Sequence, residues 1–129
     1  MNIIELQKQI VTFLKTKATR VYFRKVPDNA VYPYIVYDLP TSTENYSRED
    51  FMLDVDFWDD SNLTSAIDTL VGDVDGDGDI VEPTGLHRKN IYIDSTLSAK
   101  FYRESRLTID DEDVRIEHRQ LRYQIQTYL

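Results

Sequence analysis

The stretch FMLDVDFW at 51–58 alternates apolar and polar side chains with a period of two. Successive side chains of a strand leave on opposite faces. Phe51, Leu53, Val55 and Phe57 therefore share one face, and Asp54 and Asp56 the other. The segment predicts a strand with one buried face, and such a strand needs a second layer to cover it. Two segments can supply that layer. Ile3, Leu6, Ile10 and Phe13/Leu14 recur at helical spacing over residues 2–17, with Asn2 placed as the N-cap. Leu63, Ala66, Ile67, Leu70 and Val71 do the same over 62–71, with Asp60 or Ser61 as cap and Gly72 as the residue that ends the helix.

Further strands fit around this frame. TRVYFRKV at 19–26 is rich in β-branched and aromatic residues, and PDNA at 27–30 reads as a turn. YIVYDL at 34–39 is nearly continuously apolar, which predicts burial on both faces, with Pro33 at its start and Pro40 at its end. TSTENYSR at 41–48 reads as a polar loop, so residues 20–58 suggest an antiparallel meander. LHRKNIYI at 86–93 and LSAKFYR at 97–103 are two more strands, and TIDDEDV at 108–114 is an acid-loaded turn. Residues 115–128 read as a long strand. Val114 and Ile116 are even-numbered, whereas Leu121, Tyr123 and Ile125 are odd, so a bulge is expected near 117–120. The sum is an α+β fold: a mostly antiparallel, mixed sheet of about five or six strands packed by two amphipathic helices. No linker or repeat divides the chain, so residues 1–129 are expected to form one domain.

Charge narrows the partners. The net charge is −8. Residues 1–37 nevertheless hold six Lys/Arg against only Glu5 and Asp28, so the acidity lies in the rest of the chain. An acidic protein is poorly suited to sequence-specific DNA binding, which depends on neutralising phosphates. Complementary signs on two faces would favour self-association or stacking; ordinary surface charge is the other reading, and the asymmetry alone favours it. There is no cysteine, which excludes disulfides, thiolate zinc sites and cysteine nucleophiles. No apolar run is long enough for a bilayer, and the first twenty residues do not have the pattern of a signal peptide.

DVDGDGDI at 73–80 is the motif with the most chemistry in it. A calcium loop of the helix–loop–helix type needs oxygen ligands at positions 1, 3 and 5, glycine at 6, an apolar residue at 8 and a bidentate acid at 12. Asp73, Asp75, Asp77, Gly78 and Ile80 satisfy the first five requirements, and Asp79 adds another carboxylate. Position 12 is Thr84, and the segment after it is not helical. Weak calcium binding by Asp73, Asp75, Asp77 and Asp79 is one reading. An acidic, glycine-rich turn between a helix and a strand is the other, and the failure at Thr84 favours it.

No catalytic constellation emerges. His87 and His118 have no metal-ligand spacing, and neither a nucleophile elbow nor a phosphate-binding loop occurs. Asp54 and Asp56 read as a solvated face. Arg103, Arg106, Arg115, Arg119 and Arg122 are expected to pair locally with the acids at 110–113, in preference to lining a polyanion path.

Three stretches carry a resemblance. AVYPYIVYDLP at 30–40, DFMLDVDFWDD running into SNLTSAIDTLV at 50–71, and AKFYRESRLTIDDEDVRIEHRQLRYQIQTYL at 99–129 are similar to the small tail-completion proteins of long-tailed phages and prophages. These are also called tail terminators or tail-to-head joining proteins. The resemblance spans nearly the whole chain and rests on the order of its segments. It implies a virion structural protein, made in the host cytoplasm, with no catalytic residue and no cofactor. It implies a ring of like subunits, commonly a hexamer, on the head-proximal end of the tail tube. Partners would be further copies, the major tail tube protein and the head connector or stopper, with DNA passing through the lumen without sequence-specific binding and no membrane contact. A connector stopper, a tube component and a calcium-binding interaction module built on Asp73–Thr84 are the alternatives.

Overall fold

A computed structural model describes residues 3–45, 48–60, 64–94 and 97–128. Its elements are α1 (Ile3–Lys15), β1 (Val21–Phe23), β2 (Tyr34–Asn45), β3 (Arg48–Asp59), α2 (Thr64–Asp75), β4 (Asn90–Tyr92), β5 (Ser98–Ile109) and β6 (Glu117–Tyr128). The six strands form one sheet in the order β1-β2-β3-β6-β5-β4. Asn2 and Ser61, two of the three cap candidates, lie outside the described residues.

The alternation at 51–58 does what its period requires. Phe51, Leu53, Val55 and Phe57 are buried, while Asp54 and Asp56 lie on the opposite face. Leu6, Ile10 and Leu14 of α1 and Ile67, Val71 and Val74 of α2 join them in one core, so both helices cover the same side of the sheet. Leu121, Tyr123 and Ile125 of β6 and Phe101 of β5 complete it. Tyr34 to Tyr37 are all buried, as a strand covered on both faces must be.

Several expectations need correction. Residues 41–45 are not a loop: β2 continues through them and pairs antiparallel with β3 as far as Asn45 opposite Arg48. Thr41 to Glu44 are exposed, so no burial pattern marks them as a strand. Pro40 lies inside β2, at a register shift between Asp38 and Thr41, where a residue without an N–H is tolerated. The meander is only half antiparallel, because β1 pairs with β2 in parallel. Arg20 fixes the chain reversal that makes this possible, donating to the carbonyls of Val31 at 2.7 Å and Tyr32 at 3.1 Å.

Gly72 does not end α2. The helix runs on to Asp75, and Gly76 is the residue with left-handed φ, +79°. Its amide donates to the Gly72 carbonyl at 2.8 Å, closing the last turn. The bulge is not in β6, whose buried side chains stay odd-numbered from Arg119 to Thr127. The phase change falls in the preceding turn, where Val114 and Ile116 lie outside the strand. The register shift sits on the partner strand, between Arg103 and Ser105 of β5.

Candidate functional site

The DVDGDGDI stretch divides between a helix and a loop. Asp73 and Asp75 belong to the last turn of α2, and Asp77 and Asp79 to the loop that follows. Asp73 is exposed, whereas Asp75 is buried. The Tyr123 hydroxyl donates to Asp75 Oδ1 at 2.8 Å, and Arg103 pairs with Oδ2. Arg106 stands 3.8 Å from the same oxygen. A carboxylate removed from water needs such partners. Burial, followed by the charge of Asp75, pushes the Tyr123 hydroxyl pKa far up, so it remains a donor. Asp75 is thus committed to β5 and β6.

Asp77 and Asp79 are committed to the loop itself. Asp77 accepts from the amides of Asp79 at 3.0 Å and Thr84 at 3.1 Å, and Thr84 Oγ1 accepts from the Asp77 amide at 3.0 Å. These amide contacts hold the Asp77 carboxyl below its ordinary range. Asp79 accepts from the Val81 amide at 2.8 Å. Thr84, the residue that breaks the calcium pattern at position 12, is therefore the clasp of the loop. The two ends meet as glycine on glycine: a Cβ on Gly76 would lie 2.1 Å from the Gly85 nitrogen. The crossing lets Leu86 and His87 donate to the carbonyls of Val74 and Asp75. Among the described residues, no group of three or more His, Asp or Glu side chains is arranged to hold a metal ion.

The five arginines singled out in the last third of the chain are paired. Arg103 and Arg106 face Asp75, Arg115 joins Asp113, Arg119 joins Asp68 and Glu117, and Arg122 joins Asp54. Only Arg115 uses the acids of the 110–113 turn, and that pair draws the Asp113 carboxyl down to about 2. Arg119 ties α2 to β6. Arg122 and Asp54 are cross-strand neighbours on the outer sheet face, 2.8 Å apart. Asp56 accepts from His118 at 2.8 Å and from Gln120 at 3.1 Å.

Sequence reasoning missed an aromatic row on that same outer face. Tyr34, Trp58 and His118 are direct cross-strand partners on β2, β3 and β6. Their rings stack at 5.6 Å and 3.9 Å between centroids. Tyr32 extends the row at 5.1 Å, and Tyr22 meets Tyr34 edge-on at 6.0 Å. Burial pushes the Tyr34 hydroxyl pKa up to about 12. Each residue was visible in the sequence, but their adjacency depends on a register that spacing alone does not specify.

The rim of the sheet carries exposed apolar side chains. Among them are Phe23 on β1, Tyr92 on β4, Ile80 and Val81 in the glycine-clasped loop, and Val114 in the acidic turn; Ile3 and Ile4 on α1, Val31, Leu107 on β5 and Tyr128 on β6 are exposed as well. None of the described helices is long and apolar enough to cross a membrane. No family model and no curated protein matches the chain.

Proposed function

We propose that this chain is a tail-completion subunit of a long-tailed phage or prophage. In this reading it is a virion structural protein that joins copies of itself into a ring, commonly a hexamer, on the head-proximal end of the tail tube. The ring stops tube growth and offers the head connector a docking surface, and DNA passes through it without sequence-specific contact. The chain is made in the host cytoplasm, works without a cofactor and ends in the virion tail.

The observation that carries this reading is the set of exposed apolar residues around the sheet. The helices cover one face; Phe23 and Tyr92 stand exposed on the two edge strands, Ile80, Val81 and Val114 in the connecting loops, and Ile4 on α1. Apolar side chains placed at the margins of a small domain suit lateral contacts between neighbouring subunits. The order of elements supports the same reading, since it runs from leading helix to short strand, Pro-Tyr strand, acid-alternating strand, helix and arginine-rich terminal hairpin.

The test is to add the purified chain to a polymerising tail tube protein. Shorter tubes, each with a ring at one end by negative-stain microscopy, are the expected result. Unchanged tube length would refute capping, and tubes made by this chain alone would identify a tube component instead.

A further inference from the structure

The chain is acidic, yet one cleft in it is basic. Ile80, Val81 and Pro83 of the clasped loop face Arg88, Lys89 and Lys100 across a cleft of about 290 Å³. Ile80 is 73% exposed and Val81 84%. No ion pair links Arg88, Lys89 or Lys100 to a carboxylate among the described residues, although Arg103, Arg106, Arg115, Arg119 and Arg122 all have one. The ammonium of Lys89 lies 5.0 Å from the Phe13 ring and that of Lys17 5.8 Å from it, which adds a fourth cation nearby. The loop's own Asp77 and Asp79 are bonded to loop amides.

The complementary surface lies at the other end of β5. There the 110–116 turn presents Asp110, Asp111 and Glu112 to solvent, followed by Val114 at 91% exposure. Asp113 is neutralised by Arg115, whereas Asp110 and Glu112 have no cationic partner among the described residues. Lys100 and Ile109 are nine residues apart on one extended strand, a span of roughly 30 Å. The turn therefore cannot reach the cleft of its own chain.

We propose that the cleft of one subunit receives the acidic turn of the next. Asp110, Asp111 and Glu112 face Arg88, Lys89 and Lys100, and Val114 packs against Ile80 and Val81. This contact is head-to-tail, and contacts of that kind close into rings when the rotation between neighbours permits. It rests on the ring-subunit reading above and names the surfaces that reading leaves open.

Sedimentation velocity of the full chain over a concentration and salt series tests the contact. Lys100→Glu alters the cleft while leaving Arg88, with its left-handed backbone, and Lys89, on Phe13, in place. Asp110→Lys with Glu112→Lys alters the turn. Each variant should weaken self-association at least about tenfold at low salt, with a smaller effect at high salt. An equimolar mixture should give two-subunit species and nothing larger, because only one of its contacts keeps both original surfaces. Circular dichroism checks folding, and Val81→Asp replaces Lys100→Glu if that variant unfolds. Self-association unaffected by these changes, or a parent chain monomeric at every concentration with or without tubes, would overturn the contact. Variants that still ring and cap tubes sink the contact and leave the tail-completion reading standing. A parent that associates through this contact but ignores tubes does the reverse.

Discussion

Asp75 and Tyr123 show how a single position can be misread from its neighbours in sequence. Asp75 falls where the calcium-loop pattern places a ligand, but its side chain points into the domain and accepts a hydrogen bond from the Tyr123 phenol. Tyr123→Phe removes that donor and leaves a buried carboxylate oxygen poorly satisfied. The expected cost is about 1–3 kcal/mol in urea unfolding. His87 provides a second prediction at this scale. Its Nδ1 accepts from the Arg103 amide at 3.0 Å. Burial depresses its pKa below the ordinary 6.5, with Arg103 and Arg88 adding to the effect and Asp75 opposing it. The unfolded chain then takes up the proton first as pH falls. His87 thus contributes stability that is complete above pH 6.5 and is lost as pH drops toward the folded-state value. The thermal midpoint should decline below that pH, and His87→Gln should remove that part of the decline.

The elements differ in how much of them the sequence displayed. β3 and α1 were legible because one side of each is buried over most of its length, from Phe51 to Asp59 and from Leu6 to Leu14, which imposes a period on the residues, although Ile3 at the head of the helical stripe is exposed. The second half of β2 was not legible, since Thr41 to Glu44 are exposed and nothing selects apolar residues there. β1 has three residues, too few to reveal the direction of its pairing. The end of α2 was ambiguous between two glycines. Gly72 is tolerated inside the helix because Val71 and Val74 on either side of it are buried, against a propensity cost of about 1 kcal/mol. The left-handed turn falls to Gly76. Gly76→Ala meets both that backbone conformation and the Gly85 backbone, and should destabilise by about 2 kcal/mol or more. Gly72→Ala, with nothing within 4 Å of its new methyl, should be neutral or stabilising by up to about 1 kcal/mol. Ile10→Ala, at 0% exposure on α1, should cost about 2–5 kcal/mol. Chemical denaturation of the three variants side by side checks the ranking.

At the scale of the whole molecule, the α+β class and the single, mostly antiparallel sheet follow from patterns that were plain in the chain, while the surfaces do not. The basic cleft joins residues from the loop after α2, the approach to β4 and the start of β5. The aromatic row joins β1, β2, β3 and β6. Both arise from register and crossing of strands, which periodicity leaves undetermined. The strand order has a further consequence. β6 lies between β3 and β5, so it joins two parts of the sheet that otherwise do not pair. A chain stopped after Ile109 leaves β3 with one bare flank and should collect in the insoluble fraction on expression. During synthesis, the same flank waits open while the ribosome completes the segment that will fill it. The nascent chain is most exposed to mispairing in that interval, and a chaperone that shields bare strand edges would have its largest effect on yield then.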